Sequence, residues 1–495
     1  MGSIRQTSLI AITCLFSQWG IAQKPVTRVE PLHVDQRIAA VENHLSTYYS
    51  VANEPDSSMN IYARMTALHV MGVSIAVIHH GKLEWARGYG AMKSGGSPIT
   101  PDTVFGAASI SKALTAMAVM RFVQDGKISL DANVNQYLKY WKLPDNQFTQ
   151  QRKVTVRELL GHTSGIGTHN GWVFDPTKDA IPNSVQLLNG VPPARTPPVR
   201  VEGTPGVQFH YANGGFLVLQ QVLMDISGKP FWQVMRDTVL APLGMTNSTF
   251  QTPLPRRLLA RAATCYNGSH PVDPRHFMLP DAAAGGLWTT SRDLAKFVIE
   301  LQKEYAGRSH RVLNQETARE LLTPGLGPNP KMPWGLGVRV GGSTKDRYFE
   351  HGGSGYWETE MIGYLNGDGV VVLSSGGGGA AKFIQEVVRS VSAVYDWPDF
   401  KAIPRNTVAV DPASLDRFVG VYGFMTITKD GDRLMAEIPK GGQIVPLLAA
   451  SPTEFFLHDF PTTIKFNVNG AGDVVSADFI TEIVHLTLKR GPLKP

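Results

Sequence analysis

Residues 113–120, Ala-Leu-Thr-Ala-Met-Ala-Val-Met, are apolar on nearly every face of a helix. Such a helix must be covered on most sides, so the chain has to build a large structure around it. It opens on Ser109-Ile110-Ser111-Lys112. One helical turn separates Ser109 from Lys112 and puts both side chains on one face. A serine hydroxyl is a poor nucleophile near neutral pH until a base takes its proton. A lysine can do so only if burial or a neighbouring cation lowers its pKa, and a helix buried all round would desolvate Lys112. Ser109 would lie at the helix start, where free N–H groups favour a developing oxyanion. The small residues Gly106-Ala107-Ala108 before it allow close approach of a ligand. The alternative for the same four residues is a helix cap, with Ser109 or Ser111 capping and Lys112 solvated.

The chain has 495 residues, 43% of them hydrophobic and 18% charged, as in an ordinary globular protein of two or three domains. Its net charge of +6 is spread without a Lys/Arg run or a basic-aromatic stripe, so no nucleic-acid partner is expected. Residues 1–23 read as a secretory signal: Arg5, the short apolar run Leu9–Phe16, and small residues near Gly20 and Ala22. That reading puts the mature protein in the periplasm or outside the cell. No other run is long and apolar enough for a membrane helix, so no stable span is expected after cleavage. The two cysteines are Cys14 and Cys265. Loss of Cys14 with the signal leaves Cys265 unpartnered, a small buried residue with no disulfide to make.

Val34, Ile38, Val41 and Leu45 recur at helical spacing, predicting an amphipathic N-terminal helix. Val73–Ile78 and Leu83–Ala86 read as a hairpin turning at His80-Gly81-Lys82, and Glu358–Tyr364 with Val370–Leu373 as a second. A helix over about Ala380–Tyr395 follows. Early and late hairpins with terminal helices imply an α/β (α+β) domain over 30–400. Its single antiparallel sheet is built from both ends, flanked by the terminal helices, with a large mainly helical insertion from Ser109 to about Lys303. The Pro/Gly-rich stretch 168–206 reads as a binding-site wall or a surface loop. After a linker from Trp397 to Pro412, residues 411–495 show short alternating runs near 418–422, 434–438, 455–458, 464–468 and 484–488. They read as a small all-β C-terminal domain or closed sheet. His79 and His80 are adjacent in a hairpin and should point to opposite faces, so no metal site is expected, and no cofactor motif is present.

Two further stretches carry chemistry. In Tyr211-Ala212-Asn213 a tyrosine beside a buried ammonium would have a lowered pKa and relay a proton. Asn213 could donate to a substrate carbonyl and accept from a lysine. Tyr364-Leu365-Asn366 has the same pattern, where a strand enters a turn. In His351-Gly352-Gly353-Ser354-Gly355, following a predicted strand at Arg347–Glu350, glycines let a ligand lie against the strand edge. N–H groups there could complete an oxyanion hole, and His351 can donate to a carboxylate or leaving group. The His-Gly-Gly run also occurs in α/β-hydrolases, but no Gly-x-Ser-x-Gly elbow exists; the nearest, Gly72-Val73-Ser74-Ile75-Ala76, lies in an apolar strand.

Ser109-x-x-Lys112, Tyr211-x-Asn213 and His351-Gly352-Gly353, in that order, resemble the serine β-lactamase and penicillin-binding protein superfamily. The resemblance is to its class C, D-alanyl-D-alanine peptidase and carboxylesterase branches. It extends through Leu159–Gly165, Ala241–Met245 and Ala283–Leu287 and covers roughly 35–400. It implies a β-lactamase/transpeptidase-like fold and a serine hydrolase, penicillin-binding or β-lactamase-related, acting on a small-molecule or peptide substrate through an acyl-enzyme. Ser109 would be the nucleophile, Lys112 and Tyr211 would share its proton, and Asn213, His351, Gly353 and Ser354 would bind substrate. The N–H groups of Ser109 and Ser354 would form the oxyanion hole, and His162 would be structural. Class C β-lactamases usually carry Lys-Thr-Gly where this chain has His351-Gly352-Gly353. Neutral histidine holds a β-lactam carboxylate less well than lysine. Esters and D-amino-acid peptides therefore rank ahead of β-lactams, with a non-turnover penicillin-binding or sensor protein as the other reading.

Overall fold

The structure, a computed structural model, describes residues 32–51, 59–169, 171–439, 444–482 and 484–491. The signal reading at 1–23 and Cys14 fall outside them. Among the described residues no helix is long and apolar enough to cross a membrane.

Six strands form the central sheet: β1 (Gly72–His79), β2 (Lys82–Gly90), β3 (Arg339–Gly341), β4 (Tyr348–Gly353), β5 (Glu358–Tyr364) and β6 (Gly369–Ser374). Their order is β2-β1-β6-β5-β4-β3, antiparallel throughout, so the two ends of the domain interleave as the hairpins predicted. β1 is buried along nearly its whole length because both sheet faces are covered. Ile75 and Val77 face a core layer formed with α1 (Val34–Asn43) and α5 (Ala380–Val394), while Ala76 and Ile78 face the larger core. That larger core holds α2 (Ser111–Gln124) and α3 (Asn213–Ser227). It also holds α4 (Ser291–Tyr305), which lies directly on the sheet against β1, β5 and β6. The insertion is thus helical as expected, but its last helix is a layer of the sheet domain itself. Cys265 is free and buried.

Among its described residues the stretch 168–206 holds one short helix, Ser184–Asn189. The C-terminal segment closes into a barrel of eight strands, β7 (Gly420–Tyr422), β8 (Met425–Asp430), β9 (Arg433–Glu437), β10 (Ile444–Ala449), β11 (Glu454–Leu457), β12 (Thr463–Val468), β13 (Val474–Ile480) and β14 (His485–Gly491). Closure pairs β7 with β14 and leaves no exposed sheet edge.

The expected divergence of His79 and His80 is wrong. Strand alternation ends at His79, and His80 sits in the turn with φ +52°. The two rings stack with centroids 3.7 Å apart, and His79 Nδ1 lies 2.8 Å from Asp368 Oδ1. One ligand atom from each of these three residues falls within 4.8 Å of the others, so the geometric argument against a metal there fails.

Candidate active site

α2 does not begin at Ser109. A 3₁₀ turn, Ala108–Ile110, precedes it, with Ala108 in the left-handed region at φ +45°. Non-glycine residues hold that conformation only when their surroundings impose it. Here Ser111 Oγ donates to the Ala108 carbonyl at 2.6 Å and accepts from the Leu287 N–H at 3.0 Å. Thr115 Oγ1 donates to the Ala283 carbonyl at 3.1 Å and Lys112 Nζ to that of Ala284 at 2.8 Å. Three polar side chains in the first turns of this helix thus tie it to 283–287.

Lys112 is fully buried, so the solvated-cap alternative fails. Its Nζ lies 2.9 Å from Ser109 Oγ. Burial pulls the amine down to about 7, against the opposing pull of the Asp281 carboxylate. Among the described residues no carboxylate hydrogen-bonds it, and the faces of Tyr211, 4.9 Å away, and Phe216, 5.7 Å away, lie against it. A lysine poised near neutrality within reach of a hydroxyl has the form of a general base.

The expected lowering of Tyr211 is reversed. Although Tyr211 is 36% exposed, burial pushes the phenol up to about 12, and a hydrogen bond with Ser109 offsets only part of that. Lys112 Nζ sits over the ring face, 4.9 Å from its centroid. Tyr211 leans on the buried His162 ring, 4.3 Å between centroids. Burial holds His162 well below its ordinary value, and its Nδ1 accepts the Ala212 N–H.

Asn213 begins α3 but does not accept from Lys112; its Oδ1 is buried with no partner. His351 cannot donate outward either. It lies within β4, its Nδ1 donates to the Gly352 carbonyl at 2.6 Å, and its Nε2 is left buried, proton-free and unpartnered. Burial, with help from Lys112, drives it down to about 3, so it stays neutral. Gly353 owes its lack of a side chain to packing: a Cβ there would lie 2.4 Å from Thr359 Oγ1 and 2.7 Å from the Ala107 carbonyl. The glycine lets β4 press against the turn carrying Ser109. Tyr364, of the second Tyr-x-Asn pattern, is buried in the core layer with α1 and α5 and donates to Asp399.

Two cavities meet at Ser109 and Ser354. The larger, about 430 Å³, contains Tyr211, His351 and Gly353 and runs on to Arg339, Glu350 and Glu360. The smaller, about 250 Å³, contains Asn213, Asp281 and Trp357. No lining residue of either comes from the barrel. Sequence reasoning missed Asp281, a buried carboxyl that burial raises to about 7. It precedes the Ala283–Leu287 stretch, and no pattern at that position marks its burial.

The family model described as Beta-lactamase matches residues 60–389. Protein flp of Staphylococcus aureus (strain MW2) is 27% identical over 264 residues, 52% of this chain and 51% of its own length. The chain thus spans about half the length of that relative. Penicillin-binding protein 4 of Amycolatopsis lactamdurans is 27% identical over 372 residues, 71% of this chain and 94% of its own. The D-amino acid amidase of Ochrobactrum anthropi SV3, solved with L-phenylalanine amide, superposes with a TM-score of 0.56 at 21% identity, covering 73% of this chain and 99% of its own. With the family model spanning most of the domain that holds Ser109, Lys112 and Tyr211, the chain belongs to the beta-lactamase family of serine hydrolases and penicillin-binding proteins.

Proposed function

We propose that this protein hydrolyses esters or amides through an acyl-enzyme on Ser109. The observation that carries the reading is Lys112 Nζ at 2.9 Å from Ser109 Oγ, with burial holding the amine near 7. Neutral Lys112 takes the hydroxyl proton as Oγ attacks the substrate carbonyl. The main-chain N–H groups of Ser109 and Ser354 receive the negative charge on the carbonyl oxygen. The proton passes by way of the Tyr211 phenol to the leaving nitrogen or oxygen, and the carbonyl bond to that atom breaks. Water then enters from the larger cavity. Lys112 or Tyr211 takes its proton, and the acid leaves as Ser109 regains its hydrogen. Asn213 lies on the other side of the nucleophile and holds the acyl part.

A β-lactamase role ranks below ester and D-amino-acid amide hydrolysis. A neutral, inward-bonded His351 offers a substrate carboxylate neither charge nor a free donor. A penicillin-binding protein without turnover would label but not hydrolyse. The test is purified protein against a short-chain nitrophenyl ester, a D-alanyl peptide and a chromogenic cephalosporin, beside Ser109→Ala. Hydrolysis of ester or peptide lost in the variant is expected. Equal rates in parent and variant overturn the assignment, and stable penicillin labelling without hydrolysis selects the non-turnover reading.

A further inference from the structure

Asp281 is 2% exposed, and neither carboxylate oxygen reaches a hydrogen-bond partner on another residue. A buried carboxyl left so costs stability unless something supplies donors or charge. Lys112 is near enough to interact electrostatically but bonds Ser109 and Ala284 instead. Asp281 lines the smaller cavity, and so does Asn213, whose Oδ1 is a second buried acceptor without a donor. Gly171 keeps the space beside the carboxylate clear; a Cβ there would lie 2.6 Å from Oδ2. The remaining walls, including Val173, Phe277, Leu279 and Trp357, are apolar or aromatic.

The direction of the substrate follows from the proton relay. Tyr211, which hands the proton to the leaving group, lines the larger cavity and not the smaller. The leaving group therefore lies in the larger cavity and the acyl group in the smaller. From these placements we infer that the acyl group carries a protonated amine close to the scissile carbonyl, received by Asp281 and Asn213 Oδ1, together with an apolar side chain packed on the aromatic wall. This deepens the acyl-enzyme reading and rests on it for direction. An ammonium brings the donors and positive charge that both orphaned acceptors lack. The carboxyl poised near 7 can ionise as the amine binds.

Binding can be measured without turnover. Calorimetry of the full-length Ser109→Ala protein with phenylalanine amide, each enantiomer in turn, and with 3-phenylpropanamide compares ligands differing only in the amine. The amine ligand should bind at least about tenfold more tightly, the size of one charge-assisted hydrogen bond. Asp281→Asn, close to isosteric, should erase that preference while leaving 3-phenylpropanamide within about twofold. Equal affinity of the two ligands overturns the inference without any change at 281. A preference that survives Asp281→Asn also overturns it. Failure of the Ser109 reading appears separately, as hydrolysis persisting in Ser109→Ala.

Discussion

At the scale of single residues the site is a set of groups whose charges are decided by burial. Lys112 is held near 7, while Tyr211 at about 12 and His351 at about 3 do not change charge in the working range. Acylation needs the neutral amine. Its rate should therefore fall about tenfold per pH unit below 7, level off above it, and show neither a histidine step near 6.5 nor a phenol limb before extreme alkali. Pre-steady-state burst rates with a nitrophenyl ester check this. Asp281, itself near 7 and interacting with Lys112, shapes the same limb, so an inflection between pH 5 and 10 well away from 7 would contradict the assignment. Asp281 pulls the Lys112 value upward, so Asp281→Asn should move the acid limb to lower pH. Tyr211→Phe should leave the limb where it is and slow acylation by about 10²–10⁴, the usual range for a lost proton relay. Lys112→Ala should abolish the burst; a normal burst would remove lysine from the proton path.

At the scale of elements, the catalytic turn is set by neighbours that press on it without touching substrate. Gly337, at φ +81°, passes so close to α2 that a Cβ would lie 2.4 Å from Ala116 Cβ and 3.2 Å from the Lys112 carbonyl. Gly337→Ala should cost about 1–3 kcal/mol from overpacking, with left-handed strain added, read by denaturant unfolding. An unchanged midpoint would mean that this contact carries no load. Periodicity made most of these elements legible. The helix Ala380–Val394 repeats cleanly because one face meets a core, and the hairpin at Glu358–Tyr364 and Gly369–Ser374 shows as a turn flanked by apolar runs, Gly369–Ser374 being buried on both faces of the sheet. Strands β8, β10 and β13 were missed: several of their positions are polar or only half-buried, so alternation fades along them. The nucleophile and its base were legible because one helical turn joins them. Asp281 was not, because its burial depends on segments distant in sequence. The stacking of His79 on His80 was misread because period-two alternation stops where the strand does.

At the scale of the molecule, the barrel is fastened to the hydrolase domain beside the catalytic cleft rather than over it. Its lining contributes nothing to either cavity at Ser109, but a separate cavity of about 1000 Å³ lies between barrel and domain and shares Arg339, Ala381 and Gln385 with the cleft. The Tyr49 N–H donates to the His458 carbonyl at 3.1 Å, the Tyr48 hydroxyl to Glu482 at 2.6 Å, and Lys382 pairs with Asp459. Such part-exposed polar links contribute little individually. The stronger anchor is Phe456. Its neighbours in β11, Phe455 and Leu457, belong to the barrel core, so alternation turns Phe456 outward, yet it is fully buried. What covers it is the Tyr49 ring of the hydrolase domain at 5.1 Å and, from the linker strand Ile403–Arg405 that pairs with Tyr49–Val51, the Arg405 guanidinium at 4.2 Å. Phe456→Ala should therefore weaken docking by about 3 kcal/mol while sparing the barrel core. Calorimetry should then resolve two transitions from one, with new proteolysis in the linker between Trp397 and Pro412. A single transition at the parental temperature would mean that the two units are held by something other than this contact.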